Sequence, residues 1–340
     1  MSDHNYGRIL AGDEHTLRDA CQRFQDQSVD LENMDEGPRE NRVTTLASPC
    51  SVSGPGTFSG GAQQTLTFLP SDRPGWWIDR ADLADALPVR VAIDNVWTTG
   101  NIVSNIVLRA GSPHNYLRMV EHIIALRVGL GLDNVIVRTE SGDPPLLERG
   151  SLDLVEAIEK AGIVPGETLA GYVTVKETVS IVSPQGSFLV IHPAPAGSRQ
   201  LTLDCAVDFP NAIGKQRIRF DVNRDSCRHG SFARTNTSVG VMLYCMTIGK
   251  IFADVRNLGY SRKNLLIAGK RDYSNEARLI HEGKSLEAAW HRSTLDLLAA
   301  VALIADGRFA GHIESYKAGH SLDCQMVTKL YQSDLLEPVT

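Results

Sequence analysis

The stretch Val120-Glu121-His122-Ile123-Ile124-Ala125, followed by Gly129-Leu130-Gly131-Leu132-Asp133-Asn134, decides how the rest of the chain is read. Ser112 and Pro113 make a good helix start, as N-cap and first helical residue. The helix is predicted to run through Leu117, Val120, Ile123, Ile124 and Leu130, with Gly129 and Gly131 marking its end. Glu121 and His122 stand side by side in it, among strongly apolar positions. Burying a carboxylate there is costly unless it is paired or near a metal. The plainer alternative is an exposed polar face on an amphipathic helix, and the pattern leaves both open.

Working outward, Asn134 to Thr139 reads as a strand, and Ser151 opens a second helix that carries Leu154, Val155 and Ile158 and closes at Gly162. Upstream, Thr65 to Leu69 alternates like a strand. Val89 to Arg109 gives β-branched runs broken at Thr99, Gly100 and Asn101, the pattern of paired strands joined by a turn. Pro165, Gly166 and Gly171 mark a boundary. Strands follow at Tyr172 to Val182, Ser187 to Ile191, Leu201 to Phe209 and Gln216 to Val222, and then a long helix from Leu286 to Ala305, with Ser285 as N-cap and Gly307 as stop. Strands then helices, twice over, argue for an α+β protein of two layered domains, residues 42–165 and 171–333. Residues 1–41 are polar and acidic, with a short helix near Asp13 to Gln27. They read as an extension, partly disordered, ending in a linker over Glu32 to Arg42.

A net charge of −6 offers no general footprint for nucleic acid or anionic lipid, although a local basic pocket for phosphate stays open. The six cysteines are spread without a C-x-x-C pair, which points to reduced thiols. The start lacks the charged and apolar regions of a signal peptide, and the apolar run Leu297 to Ile304 is too short to span a bilayer. The expectation is a cytoplasmic protein without stable membrane insertion. There is no P-loop, no G-x-G-x-x-G, no H-E-x-x-H and no G-x-S-x-G.

Two further constellations stand out. His291 and Asp296 share the late helix. A spacing of four would let them hold one metal ion, but they are five apart, about 140° around a regular helix. An exposed His and a surface carboxylate remain the plainer reading. In Tyr316-Lys317-Ala318-Gly319-His320, the glycine before His320 lets backbone approach a ligand closely. A lone structural His is the alternative.

Together these stretches resemble the UDP-3-O-acyl-N-acetylglucosamine deacetylases (LpxC) of lipid A biosynthesis. The likeness runs from about residue 43 to 333. It includes Val175 to Val179, Leu203 to Phe209 with Gln216 and Arg217, and Ala233-Arg234-Thr235. It implies two domains, each a mainly antiparallel sheet packed on helices, with the active site between them. It implies Zn2+ held by His122, His291 and Asp296. Glu121 would be the general base, His320 the cation or acid facing the leaving amine, and Thr235 the donor to the oxyanion. Lys317 would bind the phosphate-bearing end of a UDP-linked acyl amino sugar. Where the family has His-x-x-x-Asp, this chain carries one extra residue between His291 and Asp296. Such an insertion is commonly absorbed as a widened π-turn. A π-turn is expected to swing both side chains toward His122 and send Arg292 to solvent or to a carboxylate. The alternative function is a relative that keeps the fold and binds a nucleotide sugar or acyl sugar without hydrolysing it.

Overall fold

The structure is a computed structural model that describes residues 5–35, 40–99, 105–246 and 258–339. It is an α+β fold with two sheets on the outside and helices between them. The first sheet runs in the order Cys50–Pro55, Gln63–Pro70, Val135–Thr139, Trp76–Arg80, Val89–Arg90. Val135–Thr139 pairs antiparallel with Gln63–Pro70 and parallel with Trp76–Arg80. Alternation turns Leu66, Phe68, Trp76, Ile78, Val135 and Val137 inward, where all are buried. The paired strands expected over Val89 to Arg109 are present as Val96–Thr98 against Val107–Arg109, while Gly100 and Asn101 of their turn lie outside the described residues. Ile163–Leu169, which includes Pro165 and Gly166, forms a strand paired antiparallel with Arg42–Leu46.

The second sheet has seven strands. Val179–Val182, Phe188–Pro193, Gly311–Tyr316, Leu201–Asp208 and Lys215–Asp221 form its centre. The N-terminal segment supplies both edges. Arg8–Ala11 pairs parallel with Val179–Val182, and Leu31–Asn33 pairs parallel with Lys215–Asp221. Between them the helix Glu14–Gln25, capped by Asp13, buries Leu17, Ala20, Cys21 and Phe24 on Val182, Phe188, Val190, Ala206 and Tyr316. The short helix expected near Asp13 to Gln27 is present, and the segment around it is ordered from residue 8 to residue 33 because its apolar stripe has a sheet face to cover. Residues 36–39 of the expected linker lie outside the described residues.

The middle layer positions the site. The helix Glu121–Gly129 packs on a composite helix made of Glu287–His291, a π-helical stretch Arg292–Leu297, and Leu298–Ala302. Gly129 is there for closeness, since a Cβ on it would sit 2.3 Å from Cys227 Sγ. The first helix begins at Glu121, not at Ser112. Asn115 donates to the Leu87 and Ala110 carbonyls, and Tyr116–Leu117 pairs with Val107–Arg109, so the chain is kept out of a helix until Val120. The helix Leu152–Ala161, from Ser151 to Gly162, and the strands at 135–139, 188–193 and 201–208 follow the sequence pattern closely. Among the described residues no helix is long and apolar enough to cross a membrane.

Candidate active site

The site lies where the start of Glu121–Gly129 meets the π-turn. Glu121 is 2% exposed, and its Oε2 accepts the Ile106 amide at 3.0 Å. Burial pushes its pKa up to about 8, against the pull of the backbone amides of Ile106 and Glu121. His122, half-buried, is held in place through its own carbonyl, which accepts the Ser151 hydroxyl at 2.8 Å. Burial and the neighbouring His291 push its pKa down to about 3, which keeps its ring neutral.

Across the interface, His291 turns Nε2 toward His122 Nε2 at 3.2 Å, with the rings edge to face. Thr235 Oγ1 lies 3.0 Å from His291 Nε2 and 3.5 Å from His122 Nε2. Thr235 is set there by the buried Arg234, which donates from Nε and Nη2 to Glu287 at the head of the composite helix. On the other ring face, His291 Nδ1 is 3.5 Å from Asp296 Oδ1. That oxygen is also 3.5 Å from His320 Nε2, which is 3.9 Å from Glu121 Oε1. Burial lowers the pKa of His291, but the Asp296 carboxylate outweighs it and the net direction is up. Burial would raise Asp296, yet His291 and His320 hold it below the usual carboxylate range.

The extra residue is absorbed as the expected π-turn, which brings His291 Nε2 to His122 but leaves Asp296 on the Nδ1 side of His291. The π-helical stretch Arg292–Leu297 brings His291 and Asp296 to one side. Arg292, 4% exposed, points away and donates to both oxygens of Asp323, at 2.8 and 2.5 Å. Six of the seven side chains singled out by sequence meet here. Lys317 is exposed at the edge and has a left-handed backbone, φ +52°. Sequence reasoning missed Asp323, which stands one turn after His320 on the helix His320–Gln332. It also missed the Ile106 amide, for which no side-chain signal exists.

The donor set bears on a metal. Two imidazole nitrogens bound ~2.0–2.1 Å from one tetrahedral ion stand about 3.3 Å apart. The pair His122 and His291 matches this at 3.2 Å, with a neutral ring on His122. Asp296 Oδ1 is buried without a hydrogen-bond partner, as a ligand oxygen awaiting its ion would be. It faces Nδ1 of His291, however, not Nε2. Among the described residues no group of three or more His, Cys, Asp or Glu side chains is arranged to hold a metal ion. Two of the three expected ligands are thus placed together, and the third stands beside them.

A small hollow of about 30 Å³ opens beside His122 and Thr235, lined also by Thr57, Met119 and Leu147. A larger cavity of about 510 Å³ lies at the other end of the helix, by Arg127, Leu130, Arg224 and Arg308, and contains none of the site residues. Of the site residues, His122 and Thr235 line the smaller hollow and none lines the larger cavity.

Comparison with known proteins identifies the family. The model for the UDP-3-O-acyl N-acetylglycosamine deacetylase family matches residues 43–332. UDP-3-O-acyl-N-acetylglucosamine deacetylases of Brucella ovis, Brucella canis and Brucella abortus are each 27% identical over 295 residues, covering 85% of this chain and 95% of the relative.

Proposed function

The chain belongs to the UDP-3-O-acyl N-acetylglycosamine deacetylase family, and from that premise we propose that it is a zinc-dependent deacetylase acting in the cytoplasm. Its substrate is a UDP-linked 3-O-acylated N-acetylglucosamine, and its step is N-deacetylation in lipid A biosynthesis. The observation that carries the reading is the approach of His122 and His291 at 3.2 Å, with Glu121 and His320 facing each other beside them.

In this reading His122, His291 and Asp296 hold the zinc. Zinc, when bound, supplies Lewis acidity to amide hydrolysis. Glu121 Oε, as the carboxylate, accepts a proton from the attacking water. His320 Nε2 donates a proton to the nitrogen as the C–N bond breaks, so that acetate and the free amine depart. Thr235 Oγ1 donates to the oxygen on which negative charge develops. The exposed Lys317 pairs with phosphate as a point charge. Lys317→Ala then raises KM for the UDP-bearing substrate by about tenfold, and leaves a sugar lacking the nucleotide nearly unaffected. Equal effects on both would remove Lys317 from this role.

The test is release of acetate from a UDP-3-O-acyl-N-acetylglucosamine, before and after zinc removal by a chelator and after zinc is restored. Loss on chelation and recovery with one zinc per chain support the proposal. The position of Asp296 on the Nδ1 side of His291 favours a second reading, a protein that binds the sugar nucleotide without hydrolysing it. Tight binding with no acetate release at full zinc occupancy would select that reading.

A further inference from the structure

We infer that Arg292 is a positioning residue for the proposed deacetylation, holding the turn that carries Lys317 and His320 by both of its ends. The inference rests on the functional reading above.

One guanidinium makes both contacts. Its Nη1 and Nη2 donate to the two oxygens of Asp323 at 2.8 and 2.5 Å, and Nη2 also reaches Ser315 Oγ at 3.2 Å. Ser315 belongs to the strand Gly311–Tyr316, just before the turn. Asp323 lies in the first turn of the helix His320–Gln332, just after it. The side chains of Arg292 and Asp323 are 5% and 0% exposed. A bidentate pair so enclosed has one geometry, and it fixes the separation of the two elements it joins.

The enclosed turn has need of such a tie. Lys317 is not glycine, yet its φ of +52° is left-handed, a conformation that persists only where the surroundings impose it. His320 Nδ1 is buried and has no hydrogen-bond partner, so no second bond steers the ring. Its place at 3.5 Å from Asp296 depends on the backbone that carries it. The other end of the tie is the π-turn itself. Arg292 follows His291 directly, and the extra residue lets His291 and Asp296 face the site while Arg292 faces the turn. His291, Asp296 and His320 are thereby held in one frame.

Removing one member alone leaves a buried charge unpaired and can unfold the protein. Two variants avoid this. Arg292→Lys keeps the charge and loses the fork. The double variant Arg292→Met with Asp323→Leu removes both charges together. In both, kcat should fall at least about tenfold on a sugar lacking the nucleotide as well as on the sugar nucleotide, because the acid is misplaced, and KM for the UDP-bearing substrate should rise, because Lys317 moves with the same turn. Amide hydrogen exchange over residues 316–323 should quicken in both, with exchange over Leu201–Asp208 unchanged. Wild-type kcat in the folded variants overturns the inference. If the unaltered protein releases no acetate, the functional reading fails on its own, and the exchange arm still decides: undiminished protection at 316–323 overturns the tie.

Discussion

Two helices meet at this site and bring their chemistry to it differently. Glu121–Gly129 is regular and places Glu121 and His122 as neighbours in its first turn. The composite helix carries its two site groups five positions apart, and a π-turn over Arg292–Leu297 brings them round. The regular helix is tied at each end. Glu121 takes the Ile106 amide, and Arg127 donates to the Ala302 and Ile304 carbonyls. The other helix is tied outward as well, through Glu287 to Arg234 and Arg292 to Asp323, and in addition bonds to itself at the irregularity. Ser293 Oγ donates to the Ala289 and Trp290 carbonyls, and Thr294 Oγ1 donates to the Trp290 carbonyl. Both helices are tied outward, and the widened one also brings together groups that a regular helix would set on different faces.

The most severe way to break the comparison is at the regular helix. Glu121→Gln keeps its shape and cannot accept the proton, so turnover should fall by about 10² to 10⁴. Its zinc content should stay at the wild-type level. Undiminished acetate release would remove Glu121 as base. The same pair of proteins, stripped of metal, gives a smaller effect in stability. Glu121 has an ordinary pKa of 4.5, raised to about 8 in the fold by burial. The folded state therefore holds this proton when the unfolded state has lost it. Stability from this group is fully present below 4.5 and declines as pH rises toward 8. Wild type should lose on the order of 2 kcal/mol relative to Glu121→Gln between pH 5 and pH 8, measured by urea unfolding. A pH-independent difference would show that Glu121 ionises normally.

The mildest change concerns the widened helix. Deleting Ser293 should contract the π-turn and leave His291 four residues from the aspartate, about 40° apart on a regular helix. Zinc stoichiometry should be preserved, with a change in Tm of only about 2–4 °C. Loss of zinc in a folded deletion variant would show that the extra residue itself places the ligands.

Much of this was legible in sequence because it depends on neighbours. Alternation and caps set the strands at 135–139 and 201–208 and the helix closing at Gly162. The count from His291 to Asp296 announced an irregular helix, since a regular one would part them. What escaped depends on distant partners. Ser112 and Pro113 offer a sound helix start, but Leu87 and Ala110 engage Asn115 and keep the chain from a helix there. Arg292 finds Asp323 31 residues away, and nothing local marks the pair. The rotation of Asp296 toward Nδ1 of His291 is a choice among rotamers, on which spacing is silent.

The N-terminal segment has a consequence for the order of assembly. Its strands Arg8–Ala11 and Leu31–Asn33 leave the ribosome well before Val179–Val182 and Lys215–Asp221, the strands they join. During synthesis the helix Glu14–Gln25 must wait with Leu17 and Phe24 exposed. Docking is then the late, long-range closure that slows folding of such topologies. Until it occurs, both margins of the large sheet offer unpaired amides and carbonyls to any passing strand. The segment acts as a pair of stoppers, and losing it should show first as aggregation at high expression.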